Sequence, residues 1–285
     1  MSYDLYSFFK EIQSKSNDSV KELIIHQEGG SKANKLRKES GLALIEGIHL
    51  LDSWLKSNQL HQIQAIFTTA KGLEHPEISA LLNRVIDYFQ QAGLRFPELV
   101  MLDESLHKLV SLMPEAPLLQ CLIKMPNEVK INYATDMVIL DSIQDAGNVG
   151  TILRTCAAAG FEQVICIKGT AAVWSNKVLR AGMGAQASLK IIEAVMPYQL
   201  LTDLEIPLLC SQLEEAKSLY DIANKLEKPV AWVFGNEGQG IGPELRQDGL
   251  GVKIPQVESV ESLNVSAAAA IALFETRRVR LTSIT

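Results

Sequence analysis

Apolar runs of about four to six residues recur along the chain, bounded by Gly, Pro, Asn and Asp, with amphipathic stretches between them. In the first part, Leu42–Ile45, Ile63–Phe67, Glu98–Leu102 and Leu118–Ile123 predict strands. A turn at Glu46-Gly47 leads into an amphipathic helix, and apolar positions three and four apart predict another from about Pro76 to Gln91. In the later part, Met137–Asp141, Gln163–Ile167, Leu189–Ala194, Leu208–Ser211, Val230–Gly235 and Val252–Ile254 alternate with helical patterns. Strands that are apolar almost throughout, joined by helices, predict a parallel sheet covered on both faces. Met125-Pro126-Asn127-Glu128 interrupts the pattern and predicts a linker over 126–136, between a small α/β domain at 12–125 and a larger one at 137–285. Residues 1–11, with Phe8-Phe9 on a short helical pattern, are expected to form an amino-terminal extension that docks or is mobile.

Three loops in the larger domain carry candidate chemistry. Residues 254–266, Ile-Pro-Gln-Val-Glu-Ser-Val-Glu-Ser-Leu-Asn-Val-Ser, run into an Ala-rich segment that reads as a buried helix, so Ser262 and Asn264 meet a helix start. Unsatisfied N–H groups and the positive end of the helix dipole suit a ligand there. A plain N-cap by Ser262, Asn264 or Ser266 explains the same residues. Asp141-Ser142-Ile143-Gln144-Asp145-Ala146-Gly147-Asn148-Val149-Gly150-Thr151-Ile152-Leu153-Arg154 reads as strand end, turn and helix. In Gly235-Asn236-Glu237-Gly238-Gln239-Gly240 the glycines let backbone approach a ligand closely. Glu237 reads equally as a solvated or capping carboxylate, and Arg154 as a surface arginine.

Composition narrows the classes. With 285 residues, 47% hydrophobic and 21% charged, the chain folds throughout and is comfortable as two domains. Cys121, Cys156, Cys166 and Cys210 form no CxxC, and the start lacks a basic segment followed by an apolar one, so a reduced, cytoplasmic protein is expected. The longest mainly apolar stretch, Val265 to Phe274, is roughly half a membrane span. Net charge is −6, with 13 basic and 16 acidic side chains in residues 1–128 and 14 and 17 in 129–285. A nucleic-acid surface must therefore be a local patch. The densest candidate is Lys32, Lys35, Arg37 and Lys38, with Lys21 upstream; a solvated helix face explains it as well. The order G-x-x-G-x-G-x-G over 235–242 does not fit a dinucleotide loop, and no G-x-x-x-x-G-K-[ST] occurs.

In order and spacing the three loops resemble the motifs of the SpoU (TrmH-like) RNA ribose 2′-O-methyltransferases of the SPOUT superfamily. Residues 12–125 resemble the small substrate-binding domain of its ribosomal-RNA branch, with Ser14, Asn17, Lys21 and Leu44-Ile45-Glu46-Gly47. The resemblance implies an α/β fold with a carboxy-terminal knotted (trefoil) parallel-sheet methyltransferase domain. The knot comes from the resemblance alone, since chain-topology rules exclude knots. It also implies S-adenosylmethionine as methyl donor, RNA, chiefly ribosomal, as acceptor, and a homodimer built on the helices at Asn148–Ala159 and Val265–Arg278. Transfer RNA as acceptor, or a non-catalytic RNA-binding or ribosome-assembly role, are the rival implications.

Carried over residue by residue, the resemblance makes Asn148, Arg154, Glu237, Ser262 and Asn264 catalytic. Phe234, Gly235, Asn236, Gly238, Ile254, Pro255, Leu263, Asn264 and Ser266 would surround the donor. Lys177 and Arg180, in Lys-Val-Leu-Arg-Ala-Gly-Met-Gly, join the lysine-rich run as RNA contacts. All five histidines, His26, His49, His61, His75 and His107, lie in the first domain, so none serves the catalytic one. A guanidinium stays protonated, so Arg154 is expected to stabilise a developing 2′-oxyanion while water or a phosphate oxygen takes the proton. No metal is expected, because no His/Cys cluster has ligand spacing and an alcohol acceptor needs no Lewis acid. Three departures stand beside these matches: Ala146 for a usual proline, Glu258 for a usual glycine, and Pro114-Glu115-Ala116-Pro117 in place of a Pro-Gln-Gly-like turn.

Overall fold

A computed structural model describes residues 3–283 except 28, 29, 112–117, 127, 128, 258 and 260, with backbone alone at 27 and 30–32. Glu258, the 114–117 turn and part of the linker thus lie outside the described residues. The chain forms two compact units, Met1–Asn127 with Trp174–Ala187, and Glu128–Val173 with Ser188–Thr285.

The first unit holds strands β1 (Lys10–Ile12), β2 (Leu42–Glu46), β3 (Ile63–Thr68), β4 (Glu98–Leu102) and β5 (Leu119–Lys124) in the order β1-β4-β3-β5-β2. β1, β4 and β3 run parallel, and β5 is antiparallel to β3 and β2. Val20, Leu23, Leu44, Phe67, Val100 and Leu122 fill its core. The helix Pro76–Ala92 begins on proline, buries Ile78, Leu81, Leu82, Val85, Ile86 and Phe89, and ends at Gly93 in the left-handed region, φ 61°. Each choice favours helix there: fixed φ at the start, one apolar stripe, and a residue without Cβ at the stop.

Of the two fates expected for the start of the chain, residues 3–11 take the docked one: β1 pairs with β4, and Leu5 and Phe9 are buried. One sequence expectation differs from the structure. The segment around Lys177 and Arg180, assigned by chain order to the larger domain, belongs to the first unit. Its helix Asn176–Gly182 is capped by Ser175, Asn176 Nδ2 donates to the His26 carbonyl (3.1 Å), and Ser53 Oγ donates to the Met183 carbonyl (3.2 Å). Gly184, at φ 82°, leaves no room for a side chain, since a Cβ would stand 2.7 Å from Ser53 Cβ. Chain order does not decide which core a short helix joins; its buried Val178 and Leu179 do.

The second unit carries a seven-stranded sheet of β6 (Met137–Asp141), β7 (Gln163–Ile167), β8 (Lys190–Val195), β9 (Leu208–Ser211), β10 (Lys217–Ser218), β11 (Ala231–Gly235) and β12 (Leu250–Lys253). Its order is β10-β12-β9-β11-β6-β7-β8, and every pairing is parallel, as the apolar strands predict. Met137, Ile139, Ile165, Leu208, Ala231 and Val233 share its core. The helices Ala146–Ala159 and Val265–Thr282 pack together, with Arg277 donating to the Ala159 carbonyl (3.3 Å) and Trp232 to Thr276 Oγ1 (3.1 Å). Ala269 and Ala272 are buried within the chain by this packing. These two alanines are therefore not open to a second copy, although the resemblance places this helix in a dimer contact. The large apolar side chains this helix leaves exposed are Ile271, Phe274 and Leu281. Among the described residues no helix is long and apolar enough to cross a membrane.

Candidate active site

β11 ends in a loop that glycine alone permits. A Cβ on Gly235 would lie 2.4 Å from the Gly240 carbonyl carbon. Asn236 and Gly240 exchange backbone hydrogen bonds of 3.0 and 2.8 Å. Asn236 Oδ1 accepts from the Gly238 and Gln239 amides (2.9 and 3.1 Å), and its Nδ2 donates to the Ser142 carbonyl (2.9 Å). The Asn236 side chain, expected to touch a donor, is thus consumed in building the loop. Asp141, buried at the end of β6, accepts from the Gly242 amide (2.7 Å) and fixes the far side.

Asn264 caps the helix Val265–Thr282, its Oδ1 accepting from the Ser266 and Ala267 amides (2.9 and 3.3 Å) and from Ser266 Oγ. That resolves the cap among the three candidates and fixes which way round the amide sits. With Oδ1 on the helix, Nδ2 must donate, and it does so to Asn148 Oδ1 (3.0 Å). Asn148 then donates through Nδ2 to Glu237 Oε1 (2.7 Å). Asp145, as N-cap, accepts from the Asn148 amide (2.8 Å), so the start of its helix aims the side chain. Three residues far apart in sequence are thereby brought into one oriented chain. Arg154 is not part of it; it stands exposed on the same helix with no side-chain hydrogen bond or ion pair among the described residues.

Beside this network lies a cleft of about 1170 Å³ at the carboxyl ends of β9, β11 and β12. It is lined by the expected Phe234, Gly235, Asn236, Glu237, Gly238, Ile254, Ser262, Leu263 and Asn264. Pro255 and Ser266 are not among the residues that line it; Pro255 is exposed, and Ser266 Oγ donates to Asn264. Sequence reasoning missed Ser211–Glu215, Arg246, Gln247 and Gln256 on its walls. The signal available for the first was positional, since ligands collect outside the carboxyl ends of parallel strands and β9 ends at Ser211. Gln212 and Gln256 each bury a side-chain oxygen that no group in the described chain satisfies.

The expected RNA contacts all lie in the first unit. Lys35 and Lys38 are exposed, Lys35 facing Glu39 at 3.7 Å, and Lys177 and Arg180 are exposed too. The Lys32 side chain falls outside the described atoms. Arg37 is a correction: it is 3% exposed and donates to Asn34, so it supports the helix from within and does not offer a phosphate contact. Among the described residues no group of three or more His, Cys, Asp or Glu could hold a metal ion.

An all-parallel sheet whose cleft opens at its strand ends, between a glycine-built loop and a capped helix, defines an α/β domain for a nucleotide-like small molecule. Residues 136–274 match the SpoU rRNA Methylase family. The 23S rRNA (guanosine-2′-O-)-methyltransferase RlmB of Haemophilus influenzae is 30% identical, over 84% of this chain and 98% of that protein. The 23S rRNA (guanosine(2553)-2′-O)-methyltransferase RlmP of Bacillus subtilis is 27% identical, over 94% and 99%. An AdoMet-bound rRNA methyltransferase from Sinorhizobium meliloti shares the fold, at 23% identity, TM-score 0.77, and coverage of 95% and 98%. The chain belongs to the SpoU rRNA methylase family.

Proposed function

We propose that the protein methylates a ribose 2′-hydroxyl of ribosomal RNA with S-adenosylmethionine as donor. The observation that carries this reading is the oriented Asn264–Asn148–Glu237 chain at the edge of a strand-end cleft, in a family whose named relatives methylate that position in 23S rRNA.

The cleft fits the donor. Its floor, Gly235, is a place no side chain can occupy, Ile254 and Leu263 offer apolar surface, and unpartnered oxygens of Gln212 and Gln256 belong to its walls. Bound there, S-adenosylmethionine supplies an electrophilic methyl group. The residues of the chain must orient the acceptor and manage its proton. Asn148 and Asn264 hold the Glu237 carboxylate in one orientation, leaving its second oxygen for the ribose or for Arg154. Arg154, exposed and unpaired, is free to clamp the ribose or its phosphate and to stabilise the 2′-oxyanion as it forms. Ser262, exposed on the cleft wall, completes the acceptor side.

The first unit is the RNA-selecting one in this reading, supported by the exposed cations Lys35, Lys38, Lys177 and Arg180 in a chain of net charge −6. The knot rests on family membership and is compatible with the position of β11 between β6 and β9. A homodimer is supported by the exposed Ile271, Phe274 and Leu281. Four buried free thiols and a ribosomal substrate support a reduced, cytoplasmic setting. Mapping 2′-O-methyl groups in total RNA from a deletion strain tests the activity. One ribosomal site should lose its methyl group and regain it on complementation; an unchanged map overturns the reading.

A further inference from the structure

Besides the residues of the three loop motifs, the lining of the cleft carries charge that those motifs do not account for. Of the residues lining it, Glu214, Glu215 and Glu237 are acidic and Arg246 alone is basic. Arg246 sits on the helix Pro243–Asp248, and the Glu214–Glu215 pair on the loop after β9. The two supports are joined by Cys210 Sγ donating to the Leu245 carbonyl (3.4 Å). The loop is held in place: the Gln212 amide donates to the Val252 carbonyl (3.1 Å) and Gln212 Nε2 to the Glu214 carbonyl (3.0 Å). Glu215 takes the left-handed conformation, φ 49°, and its carbonyl would lie 2.6 Å from a Cβ on Gly251. Holding a bulky residue there takes surrounding structure that over-determines it. Yet Arg246 makes no side-chain hydrogen bond or ion pair among the described residues, although Glu214 and Glu215 line the same cleft.

We propose that Arg246 binds the carboxylate of the methyl donor's amino-acid end, with Glu214 and Glu215 facing its ammonium group. This rests on the reading of the cleft as the donor site. The donor carries one carboxylate, and a guanidinium fork is the group that pairs with a carboxylate through two parallel hydrogen bonds. Among the described lining residues no other cation is available. Its ammonium and sulfonium are positive, which the acidic remainder of the lining complements. The amino-acid end thus takes the Arg246 end of the cleft, and the reacting centre the Glu237 end. Arg246 is a positioning residue: it acts on the donor's tail, away from the reacting atoms.

Calorimetry on the full chain separates this from a general effect on the cleft. Three ligands are titrated: S-adenosylmethionine, S-adenosylhomocysteine, and 5′-methylthioadenosine, which lacks the amino-acid end. Arg246→Ala is expected to weaken the first two about ten- to one-hundred-fold, the range for a charge-assisted pair, and to leave 5′-methylthioadenosine unchanged. The double variant Glu214→Gln, Glu215→Gln should likewise weaken only the ligands that carry the ammonium. S-adenosylmethionine binding at wild-type strength in Arg246→Ala overturns the proposal, as does equal weakening of all three ligands. Wild-type protein that binds none of them overturns the donor reading itself, and the proposal with it.

Discussion

Asn264 does two jobs with the two ends of one amide, and they can be separated by a substitution one atom in size. Asn264→Asp keeps an acceptor for the Ser266 and Ala267 amides, and its charge suits a helix start. It removes the donor to Asn148 and sets an acceptor against an acceptor. Stability should stay within about 0.5 kcal/mol of wild type, while Asn264→Ala should lose about 1 kcal/mol with the cap. Methyl transfer should fall in both, so an Asp variant with full activity would remove the relay from the mechanism. Arg154→Ala is expected to lower kcat by about 100-fold or more, with donor affinity by calorimetry nearly unchanged. Arg154→Lys should recover little, because a point charge does not reproduce a planar fork.

At the scale of elements, the helix Ala146–Ala159 accommodates the missing proline without distortion. Asp145 before it is extended, φ −76° and ψ 119°, the conformation that a following proline requires, and Ala146 is the first helical residue. Ala146→Pro should therefore stabilise the protein by about 0.4–1 kcal/mol through the unfolded chain, measured by denaturant unfolding. Strands of five residues with four apolar positions in a row were legible in the sequence, β4, β6 and β7 to the residue, because burial leaves a nearly uninterrupted apolar run. β1 and β10, of three and two residues, were not, since such short pairings leave no periodic signal. The hydrogen-bonded chain of Asn148, Glu237 and Asn264 in the candidate site draws on residues that the three motifs single out. Arg246 and the loop after β9 were not legible, because only the register of β9 beside β11 and β12 brings them to the cleft. Arg37 misled for a related reason: a charge run shows which residues are cationic, not which face of the helix is covered.

At the scale of the whole molecule, the first unit should be sensitive to acid. His26 is fully buried, and that burial holds its pKa below the ordinary value of 6.5, despite Glu22 at 3.4 Å. The unfolded chain then binds the proton more readily, so the stabilising contribution is complete above about pH 6.5 and is lost as pH falls below it. The unfolding midpoint should drop between pH 7.5 and 5.5, two conditions spanning roughly that ordinary value. His26→Gln should flatten that slope; an equally steep slope in the variant would assign it to other groups. For the second unit, Phe274→Glu places a charge in the exposed apolar stripe of the last helix. Light scattering is expected to show a dimer for wild type and a monomer for this variant.

The excursion of Trp174–Ala187 into the first unit bears on how the protein can be divided. Neither half is a continuous stretch of chain. A fragment ending at the linker lacks the helix that rests on His26 and Ser53, and a fragment beginning there carries that helix away from the core that buries Val178 and Leu179. Shuffling the two halves among relatives as interchangeable cassettes would leave this segment mismatched to its new neighbour. Substitutions in the first unit and in this segment are therefore expected to have drifted together over time, like parts cut from one piece.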